Sequence, residues 1–435
     1  MQKASLEYFN FKKRNYKKLR SILITGTKGK TSTSLMLNHL FDFAGQTTLY
    51  VSTSGVYQNK KLITDYQSSI RQLGLAPTVM PGRYVYQFLK DGFKPEDFTA
   101  VLESSLSCGA LSTGLYEHKV GALLNIYSDH IGDGMVDTRK ELYEMKSFIF
   151  RNLAKKGYYV ANLDNDLSKK SLSEPVILEK EIQAMAFTTK KTSKKQAEKI
   201  KDKFALKDVF YTKEDEVYSL NKGLVYNFND FPYLKFFAHH QALKENLLVV
   251  LAIGLIFFEK EFLKQALAKF RFPFEFGRMM LFEDEATKQK IVVDYAHEPE
   301  SLKRMVKNLA NVYQCQPYLI SRAATHRTNA SIDKLSSAMA KLNIAGLTIY
   351  DMMSSKAVVK EMSFGTFNRR IGEVAELVYK QVAKKQPNFA YQVVPKEIDA
   401  LKQSLESGNR VTLHIYGDIK QLKIFIKERK LKRIL

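Results

Sequence analysis

The sequence contains few cysteines and no long hydrophobic run. Two cysteines, Cys108 and Cys315, are too few for a disulfide framework or a cysteine metal cluster, so we expect a reducing, cytoplasmic compartment. The longest apolar run, residues 247–258, is shorter than the roughly 20 residues that cross a bilayer, and no signal peptide is recognisable. Internal repeats and low-complexity tracts are also missing. These features exclude a disulfide-rich secreted domain and a repeat array, and no membrane partner is expected.

The composition is that of a globular protein with a large excess of positive charge. The chain has 435 residues, of which 45% are hydrophobic, so it can form two or three domains with sizeable cores. The formal net charge is +23, and basic residues concentrate in residues 12–20, 190–207 and 420–433. Such runs indicate solvated surface, an anionic substrate or nucleic acid. Because no nucleic-acid-binding signature accompanies them, an anionic substrate is preferred over nucleic acid.

A glycine-containing loop near the N-terminus organises the chain. Residues 21–25 form a β-branched apolar run that predicts a buried parallel strand, and residues 31–44 predict a helix. The loop between them consists of Gly26, Thr27, Lys28, Gly29, Lys30, Thr31 and Ser32. Backbone N–H groups at such a turn bind phosphate, Lys30 would reach the β- and γ-phosphates, and the Thr31 hydroxyl would ligate Mg²⁺. The Walker A match is partial, because Ile24 replaces the first glycine, so a plain glycine turn is the alternative.

Two further predicted strands end in residues that suit metal coordination. Residues 98–102 lead into Glu103, and residues 120–126 lead into Asp129 and His130. Open α/β sheets place ligands at the carboxyl ends of their strands, so these side chains are expected beside Lys30 and Thr31. A carboxylate and an imidazole near a nucleotide fit Mg²⁺ coordination, and an ordinary loop histidine is the alternative for His130.

The C-terminal part alternates strands and helices, which predicts a doubly wound α/β domain. A linker begins at Pro273, so we predict a central ATP-binding domain over residues 1–272 and a second domain over residues 273–435. The second domain opens with a strand that ends at Asp294, followed by His297 at the start of a helix.

Together these motifs resemble the Mur ligase superfamily of ATP-dependent amide ligases. The motifs that carry the resemblance are the loop 26–31, Glu103 with the Leu-Ser-Thr-Gly-Leu stretch 111–115, the Asn-Ile…Asp-His-Ile-Gly stretch 125–132, Gly277-Arg278, and Asp-Tyr-Ala-His-Glu-Pro 294–299. The pattern is most similar to the Mur-like half of cyanophycin synthetase. We expect no N-terminal UDP-binding domain, as in folylpolyglutamate synthetase.

The resemblance implies a fold, a reaction and a set of residues. The fold is a P-loop ATPase domain with a parallel sheet, followed by a Rossmann-like doubly wound domain. ATP would phosphorylate a substrate carboxylate, and the acyl phosphate would couple to an amino acid or another amine. The residues implied are catalytic Lys30, Glu103, His130 and Lys146; nucleotide-binding residues 26–32, Asn125, Arg278, Asp294 and His297; and Thr31, Glu103, His130 and Lys146 for two Mg²⁺ ions.

The resemblance further implies that Lys146 is carbamylated and so becomes a carboxylate-like metal ligand. An exposed helix lysine paired with a nearby glutamate is the alternative. Asn246 resembles the second asparagine of a family motif, with altered spacing. Residues 321–328 replace a glycine- and acid-containing family loop, and Arg327 is a candidate there for phosphate or acceptor contacts.

Two other functions stay open at this point. One is a nucleic-acid-dependent P-loop ATPase, which would use the positive charge, and the other is a non-catalytic nucleotide-binding scaffold. The complete set of Lys30, Glu103, His130, Lys146 and Asp294 argues against the scaffold. The sequence names neither the carboxylate acceptor nor the amine, and it does not give the oligomeric state.

Overall fold

A computed structural model of the chain describes residues 18–63, 76–106, 115, 117–128, 136–238, 240–296, 299–322, 329–350, 373–386, 391–394, 396–417 and 419–435. The chain divides into two compact units. The first comprises Met1–Phe231 with Gln241–Phe270, and the second comprises Pro232–His240 with Arg271–Leu435. The predicted domain boundary after residue 272 lies two residues from the division at Phe270. That prediction did not place residues 232–240 with the second unit.

An eleven-stranded sheet forms the centre of the first unit. Its strands are β1 (Arg20–Thr25), β2 (Thr47–Ser52), β3 (Gly55–Gln58), β4 (Lys61–Leu62), β5 (Phe98–Glu103), β6 (His118–Leu123), β7 (Leu153–Asn162), β8 (Gln183–Lys191), β9 (Asp208–Lys213), β10 (Glu216–Ser219) and β11 (Gly223–Asn227). The order across the sheet is β11-β10-β9-β8-β7-β6-β1-β5-β2-β3-β4. Neighbouring strands from β9 to β2 are parallel, and antiparallel hairpin strands occupy both edges.

The helices of the first unit cover this sheet. They are α1 (Lys30–Phe43), α2 (Pro81–Lys90), α3 (Arg139–Lys146), α4 (Phe148–Arg151), α5 (Asp166–Lys170), α6 (Pro175–Glu179), α7 (Lys194–Lys203), α9 (Gln241–Phe257) and α10 (Lys260–Lys269), with α8 (Pro232–Phe236) in the second unit. The apolar run 247–258 lies in α9 except for its last residue, and its residues 247–254 are buried. A Cβ added to Gly254 of α9 would lie 2.8 Å from Leu263 and 3.2 Å from Leu40, so glycine permits the close contact with α10 and α1.

The position of β1 follows from its composition. Ile22, Leu23 and Ile24 are fully buried, as expected for a strand covered by helices on both faces. Within the described ranges, no helix combines the length and apolar character needed to cross a membrane.

The lysine-rich residues 167–237, with short alternating strands such as 216–226, predict a peripheral hairpin region, and the structure departs from this prediction. Strands β8 and β9 extend the parallel sheet, with α7 between them, and antiparallel pairing begins at β10, which pairs with both β9 and β11. The apolar cores of β8 and β9 are only a few residues long, and lysine-rich segments flank both. Periodicity over so few residues does not separate a central strand from a surface hairpin.

The second unit contains a seven-stranded sheet and confirms the predicted α/β class. Its strands are β12 (Met280–Glu283), β13 (Lys290–Asp294), β14 (Tyr318–Arg322), β15 (Gly346–Tyr350), β16 (Tyr391–Val394), β17 (Val411–Ile415) and β18 (Lys432–Arg433), in the order β16-β15-β14-β17-β13-β12-β18. Its helices are α8, α11 (Pro299–Tyr313), α12 (Asn329–Met339), α13 (Glu373–Lys385), α14 (Glu397–Glu406) and α15 (Ile419–Arg429). Strands β16 to β13 are parallel, and β12 and β18 run antiparallel.

Helix α8 is attached to the second unit by aromatic and backbone contacts. The buried Tyr233 hydroxyl accepts a hydrogen bond of 2.8 Å from the Phe272 N–H, and the two rings lie 4.9 Å apart. The Arg433 guanidinium donates to the Phe272 carbonyl over 2.7 Å. Residues 232–240 therefore belong to the same structural unit as Phe272, which follows them by more than thirty positions in the sequence.

Candidate functional site

The glycine loop connects β1 to α1, as predicted. Gly29 occupies the N-cap of α1 with φ +87°, in the left-handed region that favours glycine. A Cβ at Gly29 would lie 2.2 Å from the Asn246 Oδ1 atom, and one at Gly26 would lie 2.9 Å from the Leu124 Cβ. The loop therefore needs both glycines, because neighbouring segments approach its backbone closely.

Asn125, which follows β6, holds this loop in place. Its carbonyl accepts from the Thr27 N–H over 2.9 Å, and its Oδ1 accepts from the Lys28 N–H over 2.8 Å. Its Nδ2 donates to the Lys28 carbonyl over 3.2 Å. Asn125 thus fixes the backbone on both sides of Lys28, and its predicted contact with a nucleotide stays a prediction.

Lys30 begins α1 and returns over the loop. Its Nζ donates to the carbonyls of Gly26 and Thr27, each at 3.1 Å. These contacts hold the ammonium at the loop, the position that a phosphate-neutralising lysine requires.

A buried carboxylate lies beside the start of α1. Glu103, the last residue of β5, is 2% exposed, and the Thr31 Oγ1 lies 3.1 and 3.0 Å from its two carboxylate oxygens. Thr53, which follows β2, donates from its hydroxyl to Oε1 over 3.0 Å and from its N–H to Oε2 over 3.4 Å. Thr53 was not predicted, although it follows the strand adjacent to β5 and the strand-end argument could have identified it.

Lys146 lies at the same edge of the sheet. It ends α3, its side chain is buried, and its Nζ lies 3.4 Å from the Thr25 Oγ1 at the end of β1. That hydroxyl donates to the Ser104 carbonyl over 3.2 Å. The alternative of an exposed helix lysine is therefore wrong, and Lys146 shares the strand-end region with Glu103.

The segment after β6 is supported by the turn that follows β7. The Asn165 Oδ1 accepts from the Ile126 N–H over 3.1 Å, and its Nδ2 donates to the Ile126 carbonyl over 3.3 Å. Asn165 also caps α5 by accepting from the Ser168 N–H. This turn therefore positions the backbone that leads toward residues 129–130.

Several predicted residues, namely Asp129, His130, His297 and Arg327, lie outside the described residues. In the described part of the chain, no group of three or more His, Cys, Asp or Glu side chains is arranged to hold a metal. Glu103 and Thr31 nevertheless supply hard oxygen atoms. Mg²⁺ is commonly bound by one or two protein carboxylates, with waters and substrate phosphates completing its shell, so these residues fit Mg²⁺.

In the second unit, Asp294 ends β13 and is 7% exposed. Its Oδ2 accepts from the Met279 N–H over 3.0 Å. Burial raises the pKa of this carboxyl above its usual range, and the nearby Arg278 guanidinium opposes that shift. The Arg278 Cζ lies 4.8 Å from the centroid of the Tyr295 ring. The structure thus brings Arg278 and Asp294 together, and their predicted contacts with a nucleotide stay predictions.

The sequence of the chain was compared with known protein families and proteins, and the matches include the segments that form this site. Residues 24–229 match the Mur ligase middle domain family. Cyanophycin synthetase from Synechocystis sp. is 24% identical over 393 residues, which cover 88% of this chain and 40% of that protein. Its counterpart from Nostoc sp. is 25% identical over 396 residues, with 88% and 39% covered. The chain thus spans about 40% of the length of these relatives.

Folylpolyglutamate synthase from Mycobacterium tuberculosis, solved with ADP and AMPPCP, has the same fold. The TM-score is 0.66 at 12% identity, covering 98% of this chain and 94% of that one. Residues 24–229 are therefore similar to a Mur ligase middle domain, and the chain has the fold of the folylpolyglutamate synthase.

Proposed function

We propose that the protein is an ATP-dependent amide ligase that activates a carboxylate as an acyl phosphate. The observation that carries the proposal is the convergence of Lys30, Thr31, Glu103 and Lys146 at one edge of the sheet in a segment similar to a Mur ligase middle domain. A basic loop, a buried carboxylate and a buried lysine at adjacent strand ends suit phosphoryl transfer.

The proposed reaction has two steps. A carboxylate oxygen of the acceptor attacks the γ-phosphorus of ATP, the bond to the β,γ-bridging oxygen breaks, and ADP leaves. The amine nitrogen then attacks the acyl carbon, inorganic phosphate leaves, and the amine loses a proton to solvent. Lys30 neutralises charge on the transferred group, and bound Mg²⁺ would supply further neutralisation of the phosphates. Thr31 and Glu103 are the described residues that would hold it.

Lys146 is proposed to act as a carbamate. Its amine would attack the carbon of CO₂ and lose a proton, giving a group with two hard oxygens and a negative charge. Its burial supports this step, because a buried amine is more readily neutral and only a neutral amine reacts. As a carbamate, Lys146 would be a ligand for a second Mg²⁺.

The proposed partners are an anionic carboxylate acceptor and an amino acid or another amine. The net charge of +23 favours anionic substrates. In the second unit, Arg278, Asp294 and His297 are proposed to contact the nucleotide.

A Lys30→Ala variant tests the proposal. ATP consumption and amide formation are measured with amino acids and carboxylate acceptors, and products are identified by mass spectrometry. We expect turnover to fall by about a thousandfold or more, since a cation on the transferred phosphoryl group is lost. Lys195→Ala, on the exposed surface of α7, is the matched control and should keep wild-type turnover. Retained amide formation in Lys30→Ala would refute the proposal.

The same assay with DNA or RNA replacing the amino acid tests the nucleic-acid-dependent ATPase. Stimulation by polyanions alone would favour that alternative. Nucleotide binding without turnover under any condition would favour the scaffold.

A further inference from the structure

Three strands of the second unit end around one tyrosine ring. β13 ends at Asp294 and is followed by Tyr295, β14 ends at Arg322, and β17 is followed by Tyr416. The Tyr416 N–H donates to the Asp294 carbonyl over 2.8 Å, and the Arg322 Nε donates to the Tyr416 carbonyl over 2.7 Å. Since β14, β17 and β13 are neighbours, these bonds tie their carboxyl ends together. Open α/β sheets bind ligands at this edge.

Two guanidinium groups share the ring of Tyr295. The Arg278 Cζ lies 4.8 Å from the ring centroid and the Arg322 Cζ lies 5.3 Å from it. Each contact is a favourable cation–π interaction. Because both distances start from one centroid, the two positive charges are at most about 10 Å apart, and they repel each other. The Asp294 carboxylate near Arg278 offsets part of that repulsion, and an anion between or beside the two guanidinium groups would offset more of it.

The backbone around Arg278 holds its side chain toward the ring. Gly277 and Met279, on either side, both have left-handed φ angles of +54° and +44°. A Cβ on Gly277 would lie 2.3 Å from the Tyr416 ring, so Tyr416 packs directly against that glycine. Met279 keeps an unfavourable conformation while its N–H bonds to Asp294. Strained backbone of this kind is concentrated at ligand sites.

Arg322 is buried at 6% exposure, which is unusual for an arginine. It lies in the segment 321–328, where the sequence departs from the pattern of the Mur ligase family, so the family resemblance gives it no role. Its planar guanidinium is oriented by the Tyr416 carbonyl and by the Tyr295 ring, and such a fixed fork suits bidentate recognition of an oxyanion.

We propose that Arg278 and Arg322, held on Tyr295, form an oxyanion site of the second unit that binds a carboxylate or a phosphoryl group. Through Arg278 the site rests on the proposed function, and Arg322 with the Tyr295 ring is the part that goes beyond it. A substrate carboxylate and a nucleotide phosphate share the chemistry that two guanidinium groups recognise.

The test uses the full chain with Tyr295→Trp. The sequence has no tryptophan, so this residue is the only indole, and it keeps an aromatic face for both arginines. The emission is titrated with inorganic phosphate and, separately, with glutarate at constant ionic strength. Arg322→Gln, Arg322→Lys and Arg410→Gln are compared in this background. Arg410 is exposed at the opposite end of β17 and is the matched control.

A saturable change in emission is expected, and Arg322→Gln should weaken binding about tenfold or more because a charge-assisted contact is lost. Arg322→Lys should bind the anion with an affinity between those of the parent and Arg322→Gln, and Arg410→Gln should bind it as tightly as the parent. A response to phosphate alone assigns the site to phosphoryl groups, and a response to glutarate alone assigns it to carboxylates. No saturable response, or an equal response in Arg322→Gln, overturns the proposal.

A second measurement keeps the native tyrosine. In the Lys30→Ala background, a bound anion should raise the unfolding temperature, and Arg322→Gln should remove that increase. An increase of equal size with and without Arg322→Gln overturns the proposal. Neither readout involves turnover, so the oxyanion site and the ligase reaction can fail independently.

Discussion

Replacing Gly29 by alanine should disrupt the loop through two separable effects. The first is the backbone, since φ at Gly29 is +87° and an L-residue there costs about 1–2 kcal/mol. The second is steric, because the new Cβ would lie 2.2 Å from the Asn246 Oδ1 atom. Overpacking of this kind costs about 1–3 kcal/mol. We therefore expect Gly29→Ala to lower the free energy of unfolding of the first unit by about 2–5 kcal/mol.

Asn246→Ala separates these effects, because it removes the colliding oxygen and leaves the backbone angle unchanged. In the double variant Gly29→Ala/Asn246→Ala, only the backbone cost should remain. The double-mutant cycle should therefore give a coupling energy of about 1–3 kcal/mol in favour of the pair. ATP affinity should follow the same order, since displaced N–H groups no longer face the phosphates.

Urea denaturation, followed by circular dichroism, measures the free energies, and calorimetric titration measures ATP binding. Gly45→Ala is the control, because φ there is +73° and a Cβ would meet no atom within 4 Å. It should show the backbone cost alone. Additive effects within about 0.5 kcal/mol for Gly29→Ala and Asn246→Ala would refute the steric part of the reasoning. Wild-type stability of Gly29→Ala would refute both parts.

Three further predictions concern the first unit. Lys146→Ala should abolish most turnover, with partial recovery in chloride or a short carboxylate, and Lys146→Arg should not recover; wild-type turnover in Lys146→Arg would contradict carbamylation. Thr53→Val should raise the Mg²⁺ concentration needed for half-maximal ATPase activity about tenfold, because the buried Glu103 carboxylate loses a hydroxyl donor, whereas Thr53→Ser should not; equal Mg²⁺ titrations for both variants would contradict this. Burial lowers the pKa of His118 from 6.5 in the unfolded chain to about 4 in the folded protein. The hydrogen bond to the Ile149 carbonyl opposes this shift, and the positive charge of Lys180 adds to it. Below pH 6.5 the unfolded chain therefore binds the additional proton, and about 3 kcal/mol of stability should be lost as the pH falls from 6.5 to 4. The urea midpoint of His118→Gln should therefore fall less than that of the wild type as the pH is lowered through this range. Parallel curves of urea midpoint against pH for the two proteins would refute the prediction.

The strand-end residues were accessible from the sequence because two local signals coincided. Short apolar runs with β-branched residues identified β1 and β5; the first leads into the glycine loop that ends at Thr31, and the second is followed by Glu103. Parallel strands share one carboxyl edge, so Thr31 and Glu103 could be placed together before any coordinates were known. Their distances of 3.0 and 3.1 Å confirm that placement.

Other features depend on contacts between distant segments, which local patterns do not encode. Thr53 follows β2 and the strand-end argument applies to it, yet hydroxyl residues are common in loops, so that signal alone did not single it out as a partner of Glu103. Asn125 was predicted to touch the nucleotide, and its bonds to the loop backbone became visible only in three dimensions. Arg322 lies in a segment without a family counterpart, and its position beside Tyr295 depends on the order of β14, β17 and β13.

The attachment of α8 to the second unit affects how this protein can be divided and recombined. The chain leaves the first unit after Phe231, returns at Gln241 and leaves again after Phe270. A fragment that ends at Phe270 would keep Tyr233 and lose Phe272, and one that begins at Arg271 would have the reverse defect. During synthesis, Tyr233 of α8 is made 39 residues before its aromatic partner Phe272. A gene fusion at a single junction would therefore transfer neither unit intact, and exchange of the second unit between related proteins requires residues 232–240 to move with it.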